Sequence, residues 1–224
     1  MIPLLPVGAK ETVNLKQRYT QCYYMSSTSK IKKKYLDCFG FIISIQTAPR
    51  YKLMEWHPWC LDNDAFNGKF DLDKWYTRLL QCLDYRSTCL FAVCPDKVGD
   101  YVETLRRFEM LAPIVRGCGY PVALATQDGL TPEQTPWADF DVLFVGGTDS
   151  HKLGREAGAL IHEAQKRGKW VHVGRVNSRT RMLKFPSADS WDGTTLSREP
   201  DGHTPAIAAT VRELRELNKL ERMF

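Results

Sequence analysis

The stretch DVLFVGGTDSHKLGREAGALIHEAQKRGKWVHVGRV (141–176) contains a complete strand–helix–strand unit. Residues 141–147 are almost continuously apolar, which is typical of a strand buried on both faces. Over 152–167 apolar residues recur at helical spacing: Leu153, Ala157, Leu160, Ile161 and Ala164. The helix is predicted to end at Gly168, and a second apolar run, 170–176, follows at once. Two strands joined through a helix in this way lie parallel in one sheet, with a right-handed crossover.

The same alternation extends over most of the chain. Five further apolar runs read as strands, at 41–47, 57–62, 89–96, 121–127 and 188–194. Helices are predicted over 71–83 and 100–116, with Asp71 and Asp100 as N-caps, and a last helix is predicted to open at Thr204 and Pro205. Their predicted apolar faces are Leu72, Trp75, Leu79 and Leu83 in the first helix, and Val102, Leu105 and Leu111 in the second.

Seven or so strands in this order predict an α/β fold of the (β/α)8 TIM-like barrel type, compact and possibly abbreviated. A doubly wound open sheet is the alternative, although no GxGxxG motif follows a strand. We expect a single domain over 1–224, with a basic N-terminal segment at 1–40 and a C-terminal helix at 205–224. No apolar run approaches the ~18 residues of a membrane span, so no membrane partner is expected. The seven cysteines form no CxxC pair, which favours a reduced, cytoplasmic protein without disulfides.

The net charge of +5 is unevenly distributed. Residues 1–40 hold seven Lys and Arg residues against two acids, and residues 166–184 hold seven with no acid. Such clusters suit contact with phosphates, although a solvated basic face is the plain alternative. The residues we single out for nucleic-acid contact are Lys32, Lys33, Arg175, Asn177, Arg179 and Arg181.

Polar residues and glycines close the predicted strands. In a barrel the active site is built at the C-terminal ends of the strands, so these residues are expected to meet at one mouth. They are Asp62, Asp96, Gln127, Gly146, Gly147, Gly174, Arg175 and Asp192. Asp and Asn also suit turns, which is the structural alternative for each of the acids. Asp189 is the alternative to Asp192 as the reactive carboxylate. Asp64 is expected to be a cap or turn residue that takes no part in the reaction.

Two carboxylates that face each other across a pocket suit substitution at a sugar carbon. One attacks the anomeric carbon and holds a covalent intermediate, while the other protonates the leaving group and then deprotonates the incoming one. Gly146 and Gly147 leave room for a flat ring to approach the backbone. Asp96 and Gln127 are placed to hydrogen-bond the polar edge of a base. His57, His151, His162 and His172 share no metal-ligand spacing and are assigned structural or surface roles.

The order of these motifs resembles the tRNA-guanine transglycosylase superfamily, and most closely its short phage-encoded members, the DpdA-type DNA 7-deazaguanine transglycosylases. The similarity runs from about residue 41 to 195. LDNDAF (61–66) resembles the Asp-Ser-Gly-Gly-Phe element, and DSWDGT (189–194) resembles the element with the nucleophile. CPDKVGD (94–100), ATQDG (125–129) and LFVGGT (143–148) resemble the base-binding elements, and HVGRVNSRTR (172–181) stands where the family has Met-Gly-Val-Gly.

The resemblance implies Asp192 as nucleophile and Asp62 as general acid/base. It also implies that Asp96, Gln127, Gly146, Gly147 and Gly174 bind the base. The partners it implies are DNA and a 7-deazaguanine base such as preQ0, with no cofactor and a location in the host cytoplasm if the protein is phage-encoded. The family's CxCxxC…His zinc motif has no counterpart after Asp192, so no metal is expected. Asp64 stands where the family usually has glycine.

Two function hypotheses follow. In the first, the chain exchanges guanine in DNA for a 7-deazaguanine through a glycosyl-aspartate. In the second, it is a non-catalytic nucleic-acid-binding subunit of a transglycosylase complex. A transglycosylase that acts on tRNA or on free nucleosides is a further alternative. The sequence leaves the inserted base, the sequence context, the need for a partner and the oligomeric state open.

Overall fold

Eight parallel strands close into a barrel in the computed structural model, which describes residues 14–19 and 22–221. Each strand pairs with the next along the chain, and the last pairs with the first. The strands are β1 Tyr23–Ser26, β2 Phe39–Ile43, β3 Trp59–Leu61, β4 Cys89–Val93, β5 Val122–Ala125, β6 Val142–Val145, β7 Trp170–Val173 and β8 Ser190–Asp192. The expected (β/α)8 barrel is therefore confirmed, and the open sheet is excluded.

The connections explain how the barrel is completed in 224 residues. The helices are α1 Leu15–Arg18, α2 Tyr51–Met54, α3 Leu72–Gln81, α4 Tyr101–Gly117, α5 Asp149–Lys152, α6 Arg155–Lys166, α7 Arg179–Met182, α8 Thr195–Arg198 and α9 Pro200–Glu221. Long helices follow only β3, β4, β6 and β8 among the described residues. The other connections use single turns of helix or 3-10 turns, such as Lys33–Cys38 between β1 and β2.

Strand β1 was missed by the sequence analysis, because the charge of segment 1–40 hides it. It is only four residues long, and Tyr24, Met25 and Ser26 are buried within it. Helix α9 packs against β1 and against the 3-10 turn that follows it. Arg215 of α9 fixes this contact by donating to the carbonyls of Cys22 (2.7 Å) and Asp37 (2.6 Å). The described part of segment 1–40 therefore contributes to the barrel wall, and residues 1–13 and 20–21 lie outside the described part of the chain.

Helix ends were predicted better than helix faces. Asp71 and Asp100 cap α3 and α4 by accepting from the amides of Lys74 and Glu103, each at 3.0 Å. In α4 the predicted face is correct only in part: Val102 is 63% exposed, whereas Leu105 and Leu111 are half-buried against the core. The buried face is Thr104, Phe108, Ala112 and Val115. Leu72 and Leu153 are also exposed.

The last helix starts earlier than predicted. Helix α9 begins at Pro200, so Pro205 lies inside it rather than at its first turn. The Thr204 hydroxyl does not cap the helix but donates back to the carbonyl of Pro200. This is the back-bonding that serine and threonine make within helices. No helix among the described residues is both long and apolar enough to cross a membrane.

Two apolar layers hold the barrel together. The larger one lies between the strands and the surrounding helices. The second fills the barrel interior with side chains that include Met25, Cys60, Phe91, Val142 and Trp170. Leu15 of α1, which precedes β1, belongs to this interior cluster. Lys16 of the same helix pairs with Asp189 at 3.2 Å, just before β8 begins. Asp189 is therefore at the opposite end of β8 from Asp192, so it is not the rival carboxylate at the mouth.

Candidate active site

Asp192 closes β8 and is held by two donors. Its Oδ2 is 2.8 Å from Nε2 of His172, and its Oδ1 accepts from the amide of Arg175 at 3.1 Å. Its side chain is 15% exposed, so the carboxylate is in reach of solvent at the mouth of the barrel. Contacts at both oxygens fix the orientation of the carboxylate.

Asp62 follows β3 and lies in a different environment. It is partly buried, and burial together with the charges of Asp192, Asp64 and Asp96 raises its pKa from 3.8 to about 7. The amide of Asn63 donates to its Oδ1 at 2.8 Å and opposes this shift without cancelling it. The charge of Asp192 is among the causes of the raised pKa, so the two carboxylates interact electrostatically at the mouth. A group with such a pKa gives and accepts protons near neutral pH.

The loop after β3 gives Asp64 a structural role. Its backbone is left-handed, with φ 58°, a conformation that Asp adopts more readily than most residues. Its Oδ2 accepts from the amide of Gln46 at 3.2 Å, which ties this loop to the one after β2. Asp64 also precedes the 3-10 turn Ala65–Asn67.

Asp96 and Gln127 are brought together by a network that the sequence did not reveal. The two oxygens of Asp96 accept from Nδ2 of Asn63 and from Nε2 of Gln127, both at 2.7 Å. Gln127 in turn accepts from the amide of Gly99 at 2.9 Å. Burial is the main reason that the pKa of Asp96 is raised. The two residues predicted to read a base are therefore bonded to each other.

Glycines at the ends of β6 and β7 allow close packing at the mouth. A Cβ on Gly146 would stand 2.9 Å from the carbonyl of Thr126. Gly147 has φ +75°, and a Cβ there would approach Asp128 to 2.8 Å. On Gly174 a Cβ would meet the Phe144 ring at 2.9 Å and would come within 3.5 Å of Oδ2 of Asp192.

We expect Gly174→Ala to lower the free energy of unfolding by about 1–3 kcal/mol, because the new methyl group overpacks against Phe144. The matched control is Gly158→Ala in α6, where a Cβ meets nothing within 4 Å. There the exchange is expected to stabilise by about 0.4–1 kcal/mol, since alanine is the better helix former. Urea unfolding of both variants measures the difference. If both substitutions changed the free energy of unfolding in the same direction, the close packing of Phe144 against Gly174 would be contradicted.

Arg175 connects the loops around the mouth. It is a non-glycine residue with φ 60°, a conformation that costs on the order of 1–3 kcal/mol. This turn aims its amide at Asp192, while its guanidinium donates to the carbonyl of Gly147. The guanidinium also stacks on the ring of Phe66, 3.8 Å from the ring centre. Phe66 is 56% exposed, so an aromatic ring stands open to solvent beside the carboxylates.

Most of the predicted nucleic-acid contacts have partners within the chain. Arg179 pairs with Glu213 at 2.9 Å, Arg181 pairs with Asp149, and Lys32 pairs with Asp201 at 3.0 Å. All three pairs are exposed to some degree, and such pairs contribute little to stability and exchange readily with solvent ions.

The two remaining predicted contacts differ from each other. Oδ1 of Asn177 accepts from the amide of Thr194 at 2.7 Å, so this side chain fixes the turn after Asp192. Lys33 is exposed at the start of its 3-10 turn.

The sequence analysis missed two residues that the structure places in this site. His172 contacts Asp192 directly and is not merely structural or on the surface. Its signal was its inward position, since alternate residues of a strand share one face. Asn63 joins the Asp62 loop to Asp96, across 33 residues of sequence. Its partner depends on how two strands pair, which spacing does not reveal.

The fold defines the class of this protein: an eight-stranded (β/α) barrel. Among the solved structures that match is the tryptophan synthase A-subunit from the hyperthermophile Pyrococcus furiosus. It is 13% identical with a TM-score of 0.48, and the match covers 87% of this chain and 96% of that one. Nothing about substrate or reaction follows from a likeness at this level. No protein-family model matches the chain, and no curated protein matches it.

Metal-ligating side chains do not cluster in the described residues. Among them, no group of three or more His, Cys, Asp and Glu side chains is placed to hold a metal ion. All seven cysteines are buried as free thiols, spread over strands, helices and connections.

Proposed function

We propose that this protein is a base-exchanging glycosyltransferase that replaces guanine in DNA with a 7-deazaguanine such as preQ0. One observation carries the proposal: two carboxylates that interact electrostatically at the barrel mouth have different environments. Asp192 is held by two donors, while the pKa of Asp62 is raised to about 7. Such a difference separates a nucleophile from a general acid.

The reaction has two half-steps that mirror each other. Asp192 attacks C1′ of the nucleotide, the bond from C1′ to the guanine nitrogen breaks, and Asp62 gives its proton to the departing guanine. The incoming 7-deazaguanine then loses a proton to Asp62 and attacks C1′, and the ester to Asp192 breaks. Configuration at C1′ is retained because it is inverted twice. Each bond broken is matched by a bond formed, so neither step needs a redox cofactor or ATP.

The base would lie at the mouth, beside the ends of β6 and β7. Gly146 and Gly174 add no side chain of their own there, and the carbonyl of Thr126 and the ring of Phe144 pack against them. The exposed ring of Phe66 offers a stacking surface, and bases stack on aromatic rings with ~1–3 kcal/mol each. Asp96 and Gln127 are held together by their hydrogen bond. Each would use its remaining lone pairs or N–H protons to hydrogen-bond the polar edge of the base.

A DNA substrate must place its target nucleotide in the mouth. Asp192 is the last residue of β8, and its side chain faces the barrel interior. It cannot reach C1′ of a nucleotide whose base is stacked in a duplex, so the nucleotide has to flip out. Flipping costs a few kcal/mol, which phosphate contacts must offset. The basic residues after β7 are at the same end of the barrel and are suited to this role, since their acidic partners are exposed and exchangeable.

Incubation of the protein with guanine-labelled DNA and excess preQ0 tests the proposal. We expect label release and a new deoxynucleoside detected by mass spectrometry, with neither product in Asp192→Ala. Exchange on tRNA but not on DNA would show that the substrate is tRNA and would overturn the DNA assignment. Absence of exchange on either, with DNA binding intact, would favour the non-catalytic subunit and overturn the enzyme.

A second candidate is the same exchange on a free nucleoside. The observation in its favour is that Arg179, Arg181 and Lys32 are already paired with acids. The salt dependence of substrate binding separates the two. For DNA we expect log K to fall steeply with log salt concentration, with a slope of about −0.7 to −0.9 per phosphate contacted. A slope near zero, together with turnover of guanosine nucleosides, would favour the small substrate.

A further inference from the structure

A column of polar side chains runs through the apolar interior of the barrel below Asp192. It consists of Trp170 and His172 on β7 and of Ser190 and Asp192 on β8. Alternate residues of a strand point to the same side, so each pair faces inward together. His172 and Ser190 have no exposed surface, and the rings of Phe91 and Phe144 flank His172 at 5.0 and 4.7 Å.

The hydrogen bonds of this column form one continuous path, in which the tautomer of His172 sets the direction of two of them. The indole nitrogen of Trp170 only donates, and it gives its proton to Oγ of Ser190 at 2.8 Å. Ser190 is thereby free to donate its own proton to Nδ1 of His172, also at 2.8 Å. In the Nε2–H tautomer, His172 donates to Oδ2 of Asp192 at 2.8 Å. Every polar atom along this path has a partner.

Such a column is not what an apolar barrel needs for stability. A buried polar group must recover its lost hydration through hydrogen bonds, and apolar groups of equal shape would serve packing equally well. His172 and Ser190 also cannot touch a substrate, because they have no exposed surface. The path they form leads to the one member with exposure at the mouth, Asp192.

We propose that His172 is a positioning residue for the nucleophile, with Ser190 and Trp170 setting its tautomer. This inference rests on the proposed function of Asp192. Nε2 of His172 and the amide of Arg175 hold the two oxygens of the carboxylate, so that it faces C1′ without searching rotamers. The same N–H donor stabilises the carboxylate when it departs from the sugar in the second half-step.

Exchange kinetics test the role with substitutions that keep the packing. His172→Phe fits between two aromatic neighbours but lacks the donor, and we expect kcat to fall by about 10²-fold, as a misplaced reacting group does, with an unchanged KM for DNA. His172→Gln keeps an amide donor and is expected to recover at least a tenth of the lost activity. His162→Gln, on the exposed side of α6, is the matched control and should leave kcat unchanged. Activity of His172→Phe within threefold of the unsubstituted protein would overturn the proposal.

Nitrogen-15 NMR of the labelled histidines gives a readout that needs no turnover. We expect one histidine in the Nε2–H tautomer, whose signals vanish in His172→Phe and shift in both Asp192→Asn and Ser190→Ala. A proton on Nδ1 of His172, or His172 signals that do not change in Asp192→Asn, would contradict the proposed role of His172. If exchange is absent but these shifts occur, the proposed reaction fails while the contact of His172 with Asp192 stands.

Discussion

Asp192→Asn is expected to lower the rate of guanine exchange by at least about 10⁴-fold, as removal of a nucleophile typically does. An amide is a poor nucleophile, and its NH2 group also faces one of the two donors that now hold the carboxylate, Nε2 of His172 or the amide of Arg175. The variant should still fold, because the side chain is only partly buried and is isosteric. Guanine release and deazaguanine incorporation, followed separately, should both be lost.

Asp128→Asn is the control for the Asp192 substitution. Asp128 is a carboxylate at the same end of the barrel, and its contacts are with the amide and hydroxyl of Thr148 rather than with the column. We expect its exchange rate to stay within a few fold of the unsubstituted protein. An Asp192→Asn variant that retained more than a hundredth of the activity would exclude Asp192 as the nucleophile.

Asp62→Asn is expected to have two large and opposite effects. Loss of the general acid should reduce exchange by about 10²–10⁴-fold. The same change should stabilise the fold above pH 7 by on the order of 2–4 kcal/mol, because the pKa of Asp62 is raised to about 7 in the folded protein. Solvent screens part of this effect, because the side chain is only partly buried.

The sign of the stability effect follows from the direction of the pKa shift. Below about pH 3, Asp62 is protonated in both the folded protein and the unfolded chain, and the two proteins should have similar stability. As the pH rises from about 4 to 7, the unfolded chain releases the proton while the folded protein keeps it, so stability is lost progressively. Urea unfolding of both proteins at pH 5 and pH 8 measures this. A gain no larger at pH 8 than at pH 5 would contradict the raised pKa.

The pH dependence of activity provides a second check on Asp62. Guanine release needs the protonated acid, so its rate should fall as the pH rises through about 7. In Asp62→Asn the remaining slow release should lose this limb of the profile. A profile that is unchanged by the substitution would assign the proton transfer to another group.

The sequence predicted the strands well because a parallel barrel buries both faces of each strand. Runs such as 141–147 and 170–176 are apolar for that reason, and the residues that end them, from Asp62 to Asp192, do lie at the C-terminal ends of strands. Strand β1 escaped because a four-residue strand beside many charges gives little signal. In α4 the apolar residues Val102 and Met110 are exposed, which blurred the face.

The parts of the site that could not be predicted are contacts between residues far apart in sequence. Lys32 and Asp201 are brought together only because α9 returns to β1. His172 shares no metal-ligand spacing with the other histidines, so spacing along the sequence does not assign it a role in the site. Its contact with Asp192 depends on the register of β7 against β8, in which His172 is paired with Ser190.

The most direct test of the account is to look for the glycosyl-aspartate itself. The protein is mixed with a guanine-containing oligonucleotide without an incoming base, quenched in acid, and examined by intact mass and peptide mapping. The account predicts a mass gain equal to the oligonucleotide less guanine, located on the peptide that contains Asp192 and absent from Asp192→Asn. Guanine release without any adduct, or an adduct on another residue, would contradict it.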